Sequence, residues 1–336
     1  MIRVAINGFG RIGRMVLRAG INNPNLNFVA CNDLTDKKTL ANLFKYDSVH
    51  GIFPGEVKES ENGIMINGKE ILIFAKKNPE ELPWKDLQID VVVESTGLFR
   101  TKEKMQWHIE AGAKKVVLSA PAKSAGVKTI VLGVNEHEYN VESDHLISNA
   151  SCTTNCLAPL VKVLDDNFGV EKGYLTTVHA YTGDQRLVDA PHRDSRRGRA
   201  AANNIIPTST GAAKAVGEVL PHLHGKLDGL AIRVPVTDGS ITDFVCELKQ
   251  EVTKEQINAL MKDVSKHHLK GILEYQEDPI VSSDIINNPH SSIFDSKLTF
   301  TNGKLVKVVS WYDNEWGYSN RVCELIPFLF TEGGTR

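Results

Sequence analysis

The apolar positions of this chain change their period about halfway along it. Over the first 150 residues, short and nearly continuous apolar runs alternate with stretches whose apolar side chains recur at helical spacing. Residues 2 to 6 read as a buried strand, and Met15, Val16, Leu17 and Ala19 follow on a helix. Phe28-Val29-Ala30-Cys31 reads as a second strand, with further strands expected at 90 to 94 and 115 to 118. This alternation predicts an α/β fold with a doubly wound, mostly parallel sheet. After residue 150 come a helical run (Leu157, Leu160, Val161, Leu164, Phe168) and then alternating strands at 174 to 179, 230 to 234, 241 to 248 and 305 to 312. That half predicts an α+β domain with a mainly antiparallel sheet, so domains of 1–150 and 151–315 are expected. Pro159 predicts a kink or a late start for the helix after residue 150.

Between the first strand and its helix stands Gly8-Phe9-Gly10-Arg11-Ile12-Gly13, a G-x-G-x-x-G motif in the strand-turn-helix context that gives it meaning. Gly8 permits the tight turn, Gly10 the approach of backbone to a pyrophosphate, and Gly13 close helix-on-strand packing, with the helix N-terminus facing the phosphates. Asp33 ends the second strand, twenty residues past Gly13, where a carboxylate holds a ribose 2′-hydroxyl and repels a 2′-phosphate. The first half is therefore expected to be a Rossmann domain for NAD rather than NADP. Thr96, Gly97 and Ser119 open loops at the carboxyl ends of later strands and point to the same cofactor. Lys77 is either a solvated lysine or a group approaching the adenine side.

Composition narrows the classes. At 336 residues the chain can build two cores, and Lys+Arg 39 against Asp+Glu 41 makes a nucleic-acid binder an unfavoured reading. Five cysteines without metal-ligand spacing point to a reducing cytosol, to no disulfide framework and to no metal centre. The first strand begins at once, leaving no room for a signal peptide, and no apolar run reaches membrane-spanning length, so a cytoplasmic location is expected.

The candidate chemistry centres on Ser151-Cys152-Thr153-Thr154-Asn155-Cys156. Cys152 falls where a helix should begin, and unpaired N–H groups there favour a thiolate. His179 ends a strand beside Tyr181 and Thr182, and its imidazole suits the role of the thiol's proton acceptor. His108, His222, His224, His267, His268 and His290 lie in polar or helix-like segments and are expected at the surface. The run from His192 to Arg199 is a concentrated cationic loop, either solvated, in a subunit contact, or binding phosphate. Thr210 and Gly211 precede an Ala-rich helix and form a helix-N-terminal anion cradle, while Arg233, inside an apolar strand, needs an anion to justify its burial. Two anion sites beside one thiol imply a phosphorylated substrate and a second phosphate.

These residues resemble the phosphorylating glyceraldehyde-3-phosphate dehydrogenase family, from Ala5 to Arg14, through Ser151 to Cys156 and Ile205-Ile206-Pro207, to Ser310 through Tyr318. The resemblance covers essentially the whole chain. It implies oxidation of glyceraldehyde 3-phosphate to an acyl phosphate with NAD, by a homotetramer of two-domain subunits in glycolysis or gluconeogenesis. Cys152 would be the nucleophile and His179 its acid/base partner. Arg11, Ile12, Asp33, Lys77, Ser119 and Asn314 would contact NAD, Asn314 at the nicotinamide amide. Thr182, Arg233 and Arg197 would hold the substrate phosphate, and Ser151, Thr153, Thr210 and Gly211 inorganic phosphate. A terminal helix over 316–336 would return to the first domain, short or kinked because of Pro327. Ala190-Pro191 occupies the loop position associated with cofactor choice, which leaves some NADP tolerance. The rival readings are an erythrose-4-phosphate dehydrogenase, disfavoured by Thr182 and Thr210-Gly211, and a non-catalytic NAD- or RNA-binding protein.

Overall fold

The computed structural model describes residues 1–331, which divide into two compact units. One comprises Met1–Ile130, Glu136–Ala150 and the segment from Ser319 onward; the other comprises Val131–Asn135 and Ser151–Tyr318.

The first unit is built on a nine-stranded sheet. At its centre the strand Ile2–Asn7 pairs in parallel with Leu26–Asn32 on one side and Val91–Glu94 on the other. Lys115–Leu118 and Leu146–Ser148 extend it in parallel beyond Val91–Glu94, and Lys69–Phe74 beyond Leu26–Asn32. These strands read as unbroken apolar runs because both faces are covered: Ala5, Ala30, Val92 and Trp84 share one buried cluster, and Val116, Leu118 and Met105 another. Antiparallel strands Val57–Glu59 and Gly63–Ile66 finish one edge, and the apolar pattern had not flagged them.

In the last helix, Trp316–Phe328, the portion from Ser319 belongs to this unit. Cys323 Sγ lies 3.3 Å from the carbonyl of Val16, and the Tyr139 hydroxyl donates to Leu329 O. The helix stops one residue past Pro327, earlier than the expected 316–336; residues 332–336 lie outside the described part of the chain.

The second unit carries an eight-stranded sheet in which five of seven pairings are antiparallel. Its long strand Val170–Ala180 lies between Leu227–Val234, in parallel, and Ser240–Leu248, antiparallel, with Leu305–Tyr312 next. Helix Cys152–Phe168 starts at the cysteine itself and runs through Pro159, so no late start occurs. Among the described residues no helix is long and apolar enough to cross a membrane.

Candidate active site

The position of Cys152 is set by the backbone before it. Ala150 sits at φ 52°, a left-handed conformation that costs a non-glycine residue about 1–2 kcal/mol, and Ser151 then caps the helix. Ser151 Oγ accepts from Thr154 N–H at 3.1 Å, so its side chain is engaged in N-cap work rather than free. Cys152 follows at the first helical position, partly exposed, whereas Cys156 one turn on is buried and its thiol is pushed up to about 11 by that burial. Accessibility therefore singles out Cys152 of the pair.

Cys152 Sγ lies 3.5 Å from Nε2 of His179, which the end of strand Val170–Ala180 delivers at 4% exposure. The other ring nitrogen, Nδ1, is 2.7 Å from the carbonyl of Ala180. A carbonyl only accepts, so Nδ1 carries the hydrogen and Nε2 presents its lone pair to the thiol. Burial, then the positive field of Arg233, pushes the imidazole pKa down to about 3. Burial also raises the Cys152 thiol, against the downward pull of Arg233 and of the Thr153 hydroxyl and N–H. The helix N-terminus favours the thiolate, as expected, and desolvation by burial opposes it.

Tyr312, which sequence reasoning had left as a strand residue, supports both members. Its ring meets His179 edge-on, with centroids 5.9 Å apart, and its buried hydroxyl bridges Thr153 Oγ1 at 2.9 Å and Thr177 Oγ1 at 2.8 Å. Thr153 was expected to meet phosphate, but its hydroxyl is buried in this bridge.

Arg233 converges on the same place. Its Nη1 donates to the Ala180 carbonyl at 3.1 Å, the oxygen that also receives His179, and to Thr182 Oγ1 at 2.8 Å. Its Nε is buried with no hydrogen-bond partner, a donor left over for an anion. Arg197 donates to Asp184 at 2.5 Å and to Thr208 Oγ1 at 3.0 Å, while Thr182 donates to the same Asp184. Burial raises Asp184, but Thr182, Arg197 and Arg233 together hold its carboxyl below the ordinary range. The structure thus brings Cys152, His179, Thr182, Arg233 and Arg197 into one connected network. At Thr210 and Gly211 the Thr210 hydroxyl accepts from Ala212 N–H, at the start of helix Ala212–Val219. Asn314 is buried, and its Oδ1 accepts from Ser240 Oγ at 2.6 Å, which leaves its NH2 group as the outward donor.

In the first unit, a cleft of about 540 Å³ is lined by Asn7, Gly8, Gly10, Asn32, Asp33, Leu34, Lys76, Lys77, Ser95, Thr96, Leu98 and Phe99. The glycines divide their work. Gly8 has φ 93°, and a Cβ there would lie 2.6 Å from Thr96 N; one on Gly13 would lie 2.2 Å from Gly8 O. Gly10, by contrast, has open space around it, room for a phosphate against bare backbone. Asp33 accepts from Phe9 N–H at 2.9 Å, which joins the two halves of the turn. The Arg11 guanidinium donates to Asp47 at 2.5 Å, and Arg11 is not among the residues that line the cleft. Ile12, Gly13, Gly97 and Ser119 also lie outside the lining, Ser119 giving its N–H to the Glu94 carbonyl. His108, expected at the surface, is fully buried behind this cleft, bonded to Trp84 and Glu94.

Two family models match the chain. One is described as the NAD binding domain of glyceraldehyde 3-phosphate dehydrogenase, over residues 2–102, and the other as the C-terminal domain of the same enzyme, over residues 151–314. Among similar proteins, the glyceraldehyde-3-phosphate dehydrogenase of Geobacillus stearothermophilus is 55% identical over 333 residues, covering 99% of each chain. That of Streptomyces coelicolor is 56% identical over 331 residues and that of Mycobacterium avium 56% over 335, each covering 98% of both chains.

Proposed function

The chain belongs to the glyceraldehyde-3-phosphate dehydrogenase family, and from that premise we propose how its own residues carry the reaction. It is an NAD-dependent oxidoreductase acting on glyceraldehyde 3-phosphate. The observation that supports the mechanism best is the Cys152 thiol 3.5 Å from an imidazole nitrogen whose lone pair faces it.

NAD, held along Gly8, Gly10, Asp33 and Thr96, with Lys77 at the rim, supplies the hydride acceptor. Residues 1–150 form its domain and 151–315 the catalytic one in this reading, and the free NH2 of Asn314 is assigned to the nicotinamide carbonyl oxygen. Cys152 Sγ adds to the aldehyde carbon as its proton passes to His179 Nε2 and on to the carbonyl oxygen, giving a thiohemiacetal. The Cys152 backbone N–H and the imidazole stabilise the charge that develops on that oxygen. His179 then takes the hydroxyl proton as the hydride leaves, and a thioester remains on Cys152. Inorganic phosphate attacks the thioester carbon, the thiolate departs and recovers the proton from His179, and an acyl phosphate is released. Arg233, Thr182 and Arg197 hold the phosphate of the substrate. Ser151, Thr153, Thr210 and Gly211 form the second anion site, the helix N–H groups serving where the Ser151 and Thr153 hydroxyls are engaged.

The active form in this account is a cytoplasmic homotetramer. Leu187, Val188 and Ile205, at 80%, 70% and 70% exposure around the cationic loop, are apolar surface that a second copy would cover. NADH formation from glyceraldehyde 3-phosphate and NAD, with and without inorganic phosphate, tests the reading, with erythrose 4-phosphate and NADP in parallel. Phosphate-dependent turnover that prefers the triose and NAD is expected. Phosphate-independent turnover, or preference for the tetrose, would refute it.

A further inference from the structure

One buried assembly beside the cofactor cleft has no part in the mechanism above. Glu94 ends strand Val91–Glu94 and is fully buried. Its Oε1 accepts from the N–H of Thr96 at 2.8 Å and from the Thr96 hydroxyl at 2.5 Å. Its Oε2 accepts from Asn7 Nδ2 at 2.6 Å and faces His108 Nε2 at 3.1 Å. The indole N–H of Trp84 lies 3.1 Å from His108 Nδ1 and can only donate, so Nδ1 accepts, Nε2 carries the hydrogen, and His108 donates to Glu94. One carboxylate therefore collects four donors, with Trp84 and His108 forming a rigid support behind it.

The two front contacts belong to the cleft: Asn7 and Thr96 both line it. Asn7 leads directly into Gly8, whose missing Cβ would stand 2.6 Å from Thr96 N, and Ser95 Oγ donates to Gly8 O at 2.7 Å. The glycine turn and the Thr96 loop thus touch, and Glu94 fastens both from below. We infer that Glu94, supported by His108 and Trp84, is a positioning residue that holds the pyrophosphate-binding turn in its binding geometry. This rests on the reading of the cleft as the NAD site and adds the residues that set its affinity. An amide at position 94 would turn an NH2 group toward a ring of donors, and deletion of the Trp84 N–H would loosen the support without emptying the site.

The test is calorimetry of NAD, ADP-ribose and adenosine on the full-length protein and its variants. In Glu94→Gln, NAD and ADP-ribose should weaken together by about tenfold or more, while adenosine, which lacks the pyrophosphate, shifts by less than about twofold. KM for glyceraldehyde 3-phosphate and kcat at saturating NAD should stay within about twofold, since the turn is reached by the cofactor and not the thiol. Trp84→Phe should weaken NAD by roughly two- to fivefold. Unchanged NAD affinity in folded Glu94→Gln, or adenosine weakening in step with NAD, would overturn the inference. If Glu94→Gln fails to fold, Trp84→Phe decides alone, and wild-type affinity there overturns it. A wild-type protein that does not bind NAD would strike the cleft reading itself, and is told apart because no variant is needed to see it.

Discussion

The protonation of His179 carries the sharpest quantitative consequence. The ring is buried and Arg233 donates to the same Ala180 carbonyl that receives Nδ1–H, so burial and then the charge of Arg233 outweigh that hydrogen bond and the imidazole pKa falls from 6.5 to about 3. Between those two values the unfolded chain binds a proton that the folded one refuses. Lowering the pH through this window therefore favours unfolding, and stability returns as pH rises to 6.5. At pH 5 the unfolded ring lies 1.5 units below its pKa, at 1.36 kcal/mol per unit, so burying neutral His179 costs about 2 kcal/mol relative to pH 7. Urea titrations of wild type and His179→Gln at both pH values should show wild type losing about 2 kcal/mol more. The imidazole resonances of His179, assigned by comparison with the variant, should not move between pH 5 and 8. A ring that titrates at or above 6.5 would refute the reasoning, because burial and Arg233 would then not be depressing its pKa.

Replacing Arg233 with leucine should raise KM for glyceraldehyde 3-phosphate by about 10- to 100-fold, the worth of charge-assisted hydrogen bonds to a phosphate. The same variant should move the His179 titration upward, since the field that depresses it is gone; unchanged KM would remove Arg233 from the substrate site. Gly8→Ala should destabilise the first unit by about 2–5 kcal/mol, from a positive φ and a Cβ driven into Thr96 backbone, and should abolish NAD binding; a wild-type melting temperature would contradict it. Asp33→Ser should weaken NAD about tenfold and improve NADP relative to it, by loss of the 2′-hydroxyl acceptor and of its charge; unaltered cofactor preference would show that Asp33 serves only the Phe9 turn.

Short-range chemistry was legible in the sequence, and long-range partnership was not. The parallel core could be read because its strands are apolar on both faces and the Gly8–Gly13 turn sits at a fixed offset from the first one. The edge strand Val57–Glu59 sets Lys and Glu beside a single apolar residue, and Gly63–Ile66 is apolar but only four residues long, so neither makes a run that announces it. Cys152 was visible from its place before a helical run, and Arg233 from a charge inside an apolar strand. Tyr312 gave no such signal, because its partners Thr153 and Thr177 are 159 and 135 residues away. His108 was misread for the same reason: its helix Lys102–Glu110 looks polar, and only the fold brings Trp84 and Glu94 to the ring. Arg11 was expected to contact NAD, and its pairing with Asp47, 36 residues on, had no signal in the sequence. The thiolate expectation used the helix terminus but not the desolvation, which depends on everything packed around it.

The most direct test of the covalent account is to mix the protein with glyceraldehyde 3-phosphate and NAD in the absence of inorganic phosphate, quench in acid, and locate the acyl group by mass spectrometry. The account predicts one thioester per active subunit, on Cys152, that disappears when phosphate is added before the quench and never forms in Cys152→Ser. An acyl group on another residue, or NADH formed in a first turnover with no acyl-enzyme at all, would contradict it.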